Sequence, residues 1–274
     1  MKKILAMVLA VLMVLAMGSA IAEQSDYEYI KEKGVLVVGM TLFPPMNYYD
    51  QATGEFVGFD TELALAVAEK LGVTVEFVEI SWDAKEIELN SKNIDAIWNG
   101  MCITEERKVN MSMTEPYLVN TQALVVKADS EAAVLADIKN RTVVAEAGST
   151  GEGKLLGTIP DDETVIVSPK AFFEGCEYVP ADSMAKAILE VKAGTADAAF
   201  VDSVAALGIV TPESDFTDLV VNLDNNFGDQ FYGIAFRKGS DVTAMVNQAI
   251  AELRADGTVE KIAATYNLTD ALVK

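Results

Sequence analysis

Arg107 closes the run Ile94–Arg107, IDAIWNGMCITEER, in which a short apolar strand leads through a turn at Gly100 into a helix start. A planar guanidinium behind a strand end can hold a carboxylate through two parallel N–H···O bonds, and the free N–H groups of a helix start add to that grip. The commoner role for such a residue is a solvated helical arginine, here beside Glu105 and Glu106, where ion pairs contribute little. The same arrangement of strand, small-residue turn and helix start recurs at Thr142–Ala145 followed by Gly148, Ser149, Thr150 and Gly151. The hydroxyls of Ser149 and Thr150 suit a helix cap, and they equally suit an anion. Asp202 stands at the end of a third strand, Asp197–Val201, as a cap for Ser203–Ile209 or as a counter-charge for an ammonium group.

Two aromatic residues, Phe43 and Trp82, lie just after strands rather than within them. Core packing is the default for any aromatic, but rings at strand ends can wall a pocket for an aliphatic stem. Trp98, inside a strand-to-turn junction, reads as core. Cys102 reads as inert packing, as a buried thiol usually is.

These residues need elements that bring strand ends together. Val35–Val38 is a short β-rich run stopped by Gly39, and Phe43-Pro44-Pro45 forms a stiff loop behind it. Asp60–Leu71, with Leu63, Val67 and Leu71 on one stripe and Gly72 after it, predicts a helix. Val73–Ile80 alternates as a strand would, Ser81 is placed to cap a helix from Trp82, and Ile94–Ile97 is the next strand. Strand, helix, strand, helix, strand argues for a parallel sheet wrapped by helices. Pro116–Lys127 is a long extended run suited to leave one lobe and enter another, and Met184–Ala193 is a helix capped by Ser183. Leu219–Leu223 is extended, Asp224–Gln230 a loop and Tyr232–Phe236 a strand. Helices follow at Val242–Ala255 and Val259–Tyr266, separated at Asp256-Gly257. Residues 23–33 read as a lead-in helix or a loose arm, and Gly157–Gly175 as irregular. The expected fold is α/β, with two α/β lobes joined by two hinge strands and a ligand cleft between them. Residues 23–119 with 226–274 form the first lobe and 120–225 the second.

Composition narrows the functions. Lys2 and Lys3 precede an unbroken apolar run ending Ala20-Ile21-Ala22, the pattern of a cleaved signal peptide over residues 1–22; as a membrane span the run is short. No cysteine follows it, so no lipid anchor is expected and the product is soluble and exported. Cleavage removes two lysines and no acid, taking the formal charge from −21 to −23. Such a surface repels phosphate backbones, which excludes nucleic acid as a partner. The chain has no histidine and 2 cysteines, so neither a His/Cys metal site nor a cofactor is expected. Cys102 and Cys176 are expected in different lobes, without a bridge.

Gly58-Phe59-Asp60-Thr61-Glu62-Leu63, continued by Val67-Ala68 and Leu71, resembles the signature of the family 3 extracellular solute-binding proteins, the polar amino-acid receptors of ABC transporters. The resemblance runs from GVLVVG to DGTVEKI and includes IDAI, the ITxxR ending at Arg107, AGST at Ala147–Thr150 and DAAFVD ending at Asp202. It implies a periplasmic-binding-protein fold of type II that closes around one amino acid, a monomer that delivers its ligand to membrane permease subunits, and a periplasmic location. Carried over by residue, it implies that Arg107 holds the α-carboxylate with Ser149 and Thr150. Asp202, the Gly100 carbonyl and the Cys102 position would hold the ammonium, and Phe43 and Trp82 would sandwich the side chain. Asn99 belongs to the same set, although relatives commonly carry a small hydroxyl there. Cys102 replaces a serine or threonine, and the loop from Gly39 to Phe43 is one residue shorter than in lysine/arginine/ornithine-type relatives and lacks their acid. Glu146 is placed to meet a cationic side chain if it faces the cleft. The resemblance extends to dehydratases of cyclohexadienyl acids, for which Glu146 and Asp202 are the available acids, and a sensor that docks to a separate membrane partner is a third reading.

Overall fold

The computed structural model describes residues 24–274; the expected signal peptide lies outside them. The chain forms two sheet-centred α/β lobes. It enters through helix α1 (Asp26–Lys33), capped by Ser25 and tied down by the Arg237 guanidinium, whose Nε donates to Asp26 at 2.9 Å. The lead-in is therefore a docked helix and not a loose arm.

Strand β1 (Val35–Met40) is an inner strand of the five-stranded first sheet. It pairs in parallel with β4 (Thr74–Glu79), from Val35 opposite Thr74 to Met40 opposite Glu79, and on its other side with β5 (Ala96–Ile97). Between β1 and β4 the chain makes a small ribbon, β2 (Tyr48–Tyr49) with β3 (Phe56–Val57), and then helix α2 (Phe59–Leu71). Leu63, Ala64 and Val67 on α2 are fully buried; a Leu or Val side chain buried this way contributes roughly 1.5–3 kcal/mol. A 3₁₀ turn (Trp82–Ala84) and helix α3 (Lys85–Asn90) return the chain to β5. Ser81 does not cap this turn; its hydroxyl donates to Asp83 at 2.7 Å instead. Helix α4 (Glu105–Asn110) and strand β6 (Met111–Met113) complete the first pass.

Ten-residue strand β7 (Leu118–Lys127) carries the chain into the second lobe. There helix α5 (Glu131–Ala136), strand β8 (Thr142–Glu146), helix α6 (Thr150–Leu156), helix α7 (Pro169–Phe172), strand β9 (Glu177–Ala181), helix α8 (Met184–Ala193), strand β10 (Ala198–Asp202), helix α9 (Ser203–Ile209) and strand β11 (Leu219–Asn222) follow. The sheet order is β11-β7-β10-β8-β9; β8 is parallel to β10 and β9, and β7 is antiparallel to its neighbours. Strand β12 (Asp229–Tyr232) leads back, antiparallel to the first four residues of β7, and β13 (Ala235–Arg237) inserts between β5 and β6. Helices α10 (Val242–Ala255) and α11 (Thr258–Thr265) close the first lobe against α2.

Two readings of the strands are corrected. Asp229 and Gln230 are extended, not loop, and the stretch read as one strand, Tyr232–Phe236, is broken at Gly233-Ile234 into β12 and β13, which pair with different partners. Strand β9 gives no signal in the sequence because Pro180 stands in it, and it is accordingly an edge strand, where a missing N–H is tolerated. The first-sheet strands are parallel only as far as β4-β1-β5; β13 makes the sheet mixed, as β7 does the second.

Candidate functional site

The strand-turn-helix unit after β5 and the one after β8 face each other across the lobes. In the first, Thr104 caps α4 by accepting from the Arg107 N–H, which fixes the backbone from which the guanidinium projects. Arg107 is only 7% exposed. Its Nη1 donates to the Cys102 carbonyl at 2.7 Å and to Thr150 Oγ1 at 3.3 Å, and its Nη2 to the Gly148 carbonyl at 3.1 Å. The arginine thus spans the two lobes and is not a solvated surface residue. Ser149 caps α6, its Oγ accepting from Glu152 N at 3.0 Å, and Thr150 is the first residue of that helix.

Gly148 makes this approach possible. Its φ is +71°, and a Cβ placed on it would stand 2.8 Å from the Asp83 Cα. Gly100 does the same for the first unit, with φ at +56° and a would-be Cβ 2.7 Å from the Phe43 ring. The Gly100 turn is held from below by Asp60, whose Oδ2 accepts from Gly100 N at 2.7 Å and from Tyr117 OH at 3.0 Å. Burial pushes the Asp60 carboxyl up to about 7, against the lowering effect of those bonds and of the nearby Trp98 indole. Asp60 Oδ1 and Trp98 Nε1 themselves are not within hydrogen-bonding geometry. Trp98 is core, as its place in the sequence suggests.

Asp202 is 1% exposed and does not cap α9 with its side chain. It accepts from Gln122 Nε2 at 2.5 Å and from Tyr232 OH at 2.6 Å, with Cys102 Sγ 3.9 Å away. Burial raises its carboxyl above the usual range, and the bonds from Tyr232 and Gln122 and the Arg107 charge oppose that rise. The Cys102 thiol lies 3.3 Å from Gln230 Oε1 and is raised by burial and by Asp202, so it is a protonated, weak donor.

Phe43 and Trp82 are both buried at the lobe boundary, the Trp82 ring lying under the Lys85 ammonium, 5.0 Å from its centroid. Asn99 departs from the expectation. Its Oδ1 accepts from Thr41 N and Thr41 Oγ1, and its Nδ2 donates to Thr41 O and Asn47 Oδ1. All four hydrogen-bonding positions of the amide are used inside the first lobe, where it braces the loop that carries Phe43.

Sequence reasoning misses Lys85 and an amide cluster on the two crossing strands. Gln230 Oε1 accepts from Asn120 Nδ2 at 2.9 Å and from Gln122 Nε2 at 2.8 Å, which joins β12 to β7 directly beneath Asp202. The available signal is the spacing: Asn120 and Gln122 are two apart, hence on one face of a strand that is mostly apolar. Glu146, at the end of β8, is buried; burial and then Asp202 raise its carboxyl, and Lys85 and Arg107 oppose that rise. A cleft of about 1000 Å³ opens beside the site and reaches it through Cys102, Thr150 and Gln230.

Known proteins resemble the chain in sequence and fold. The L-cystine-binding protein of Escherichia coli (strain K12) is 30% identical over 260 residues, covering 93% of this chain and 91% of that protein. The arginine-binding extracellular protein of Bacillus subtilis (strain 168) is 29% identical over 263 residues, covering 96% of each. A solved ABC uptake transporter substrate-binding protein of Streptococcus pneumoniae with bound histidine superposes with a TM-score of 0.78 at 28% identity, covering 91% of this chain and 99% of that one. Residues 36–269 match the bacterial extracellular solute-binding proteins, family 3, and the chain belongs to that family.

Proposed function

We propose that the protein is an extracytoplasmic receptor that captures a polar L-amino acid by closure of its lobes and delivers it to the permease subunits of an ABC importer. The observation that carries this reading is the Arg107 guanidinium, which is seated in the first lobe through the Cys102 carbonyl and bonded to Gly148 and Thr150 of the second. A group held by both lobes makes all its contacts only when they are closed, so a ligand that engages it shifts the open–closed population. Arg107 with Ser149 and Thr150 takes the α-carboxylate, Asp202 with the Gly100 turn takes the ammonium, and Phe43 and Trp82 flank the side chain. Cys102 contributes through its carbonyl, which orients Arg107, more than through its thiol. The lobes comprise residues 23–119 with 226–274 and residues 120–225, and they hinge on β7 and β12, the paired strands that cross between the sheets.

The relatives' names support the ligand class, since they bind cystine, arginine and histidine. The protein works as a monomeric, periplasmic binding protein without catalytic turnover; among the described residues no helix is long and apolar enough to cross a membrane. Calorimetry of the purified protein against a panel of amino acids tests the reading. Arg107→Ala is expected to weaken binding on the order of a hundredfold, the cost of leaving one partner of a buried charge pair alone. An unchanged affinity in that variant would overturn the carboxylate assignment.

A further inference from the structure

The two aromatic residues proposed to flank the ligand side chain are each followed at once by backbone that rests on a glycine of the second lobe. Asp83 follows Trp82 and stands against Gly148. Pro44 and Pro45 follow Phe43 and stand against Gly208, near the end of α9. A Cβ on Gly208 would lie 2.5 Å from Pro45 Cδ, 2.7 Å from Pro44 O and 2.8 Å from Pro45 N, all of them atoms of the first lobe and two of them backbone. Nothing local asks for glycine here. Gly208 is not in the left-handed region, and the helix runs on to Ile209 and is capped by Val210, so the residue serves neither a turn nor a C-cap. Inside a helix glycine is less favourable than alanine, because it has more backbone freedom to lose. The atoms nearest the room it leaves belong to the other lobe.

Both sides of this contact are held firmly. In the loop that carries the prolines, Phe43 N donates to Asn47 O at 2.8 Å and Phe59 N to Pro45 O at 2.9 Å, while Asn99 Nδ2 donates to Asn47 Oδ1 at 2.7 Å. Helix α9 is fastened at its start to the hinge strand β7, where Ser203 Oγ accepts from Thr121 N at 3.3 Å and donates to Asn120 Oδ1 at 3.1 Å. Close-packed elements pass a steric change on rather than absorb it, so a side chain at Gly208 would act on the separation of the lobes. Resting on the amino-acid-receptor reading, we infer that Gly208 is a positioning residue for closure, the seat on which the Pro44-Pro45 turn stops. It sets how far the Phe43 side of the first lobe closes on the second, as Gly148 does for the Trp82 side.

The test uses the purified protein with Gly208→Ala, Gly208→Ser and Leu207→Ala. Calorimetry of the parent against the common amino acids and cystine selects the tightest binder, which is then used in calorimetry, dissociation-rate and small-angle scattering measurements on all four proteins. Gly208→Ala and Gly208→Ser are expected to bind it about tenfold or more weakly, through faster dissociation, and to contract less than the parent on binding. Helix propensity runs the other way, so the ligand-free melting temperature of Gly208→Ala should stay level or rise by up to about 3 °C. Leu207→Ala, one position earlier and 54% exposed, is expected to keep the parent's affinity. Gly208→Ala that binds and contracts as the parent does overturns the inference. So does a loss of affinity that comes only with a fall in the ligand-free melting temperature, which would place the defect in the packing of the second lobe, or an equal loss in Leu207→Ala, which would place it in the helix at large. A parent that binds none of the amino acids, or that binds one without contracting, overturns the receptor reading itself.

Discussion

The Gly148 carbonyl of the second lobe accepts hydrogen bonds from two cations of the first, Arg107 Nη2 at 3.1 Å and Lys85 Nζ at 2.9 Å. The approach depends on a residue without a side chain, since a Cβ on Gly148 would also stand 3.2 Å from Lys85 Nζ. Gly148→Ala is therefore expected to hold the lobes apart. Its left-handed φ costs about 1–2 kcal/mol in the folded protein, open or closed, and not in the unfolded chain, so the melting temperature falls modestly. The larger effect is on ligand affinity, expected to drop about tenfold or more because the contacts of closure no longer form. Small-angle scattering with and without saturating ligand checks it: the parent contracts on binding and the variant does not.

Cys102→Ser should act in the opposite direction. The thiol sits 3.9 Å from Asp202 Oδ2 and 3.3 Å from Gln230 Oε1, longer and weaker contacts than a hydroxyl would make. Serine is smaller and brings a stronger donor and acceptor to the Asp202 side of the site, where the ammonium is proposed to bind. A gain of about 1 kcal/mol in ligand binding, several-fold in affinity, is expected by calorimetry. A loss of affinity would show that the volume of the sulfur, rather than its weak polarity, matters there.

Asp60 predicts a pH dependence of folding that is separable from ligand binding. Its carboxyl is raised from 3.8 to about 7, chiefly by burial. A group whose folded pKa lies above its unfolded value contributes its full stability below the unfolded pKa and loses it as pH rises through the folded one. The penalty thus grows between pH 4 and 7 and reaches on the order of 4 kcal/mol. Asp60→Asn keeps an acceptor for Gly100 N and cannot ionise. The difference in melting temperature, variant minus parent, is expected to increase from pH 4 to pH 7. A difference independent of pH would mean that Asp60 ionises freely in the folded protein.

How far the sequence discloses this arrangement depends on where each residue finds its partners. Helix α10 is legible to the residue because its apolar stripe and the Asp256-Gly257 stop are local. So are the strand-turn-helix units that carry Arg107 and Ser149, since a strand end, a glycine turn and a cap are all written within a few positions. Gln230 reads as loop because its partner across the ladder, Asn120, is 110 residues away and the local text DNNFGDQ has only turn chemistry. Asn99 stands where the site residues were expected but serves another purpose. Its amide braces Thr41 and Asn47, contacts that only the parallel pairing of β1 with β5 creates. Lys85 is invisible for the same reason, one more lysine on a short helix until the second lobe buries it.

Tyr232 and Asp202 give the remaining expectation. The phenol donates to Asp202 Oδ2 at 2.6 Å from the strand that returns to the first lobe, so an ionised Asp202 is held partly by a hinge residue. Asp202 must be ionised to attract an ammonium, and the bonds from Tyr232 and Gln122 lower a carboxyl that burial raises. Tyr232→Phe removes the first of these bonds at a cost of about 1–3 kcal/mol, and the carboxyl moves up. Ligand binding, which weakens as Asp202 takes a proton at falling pH, should then fail at a higher pH than in the parent. Affinities measured across a pH series are expected to show the acid limb displaced upward in the variant, with the neutral-pH affinity reduced severalfold. An acid limb that stays in place while affinity falls uniformly would assign Tyr232 a packing role and remove it from the control of the Asp202 charge.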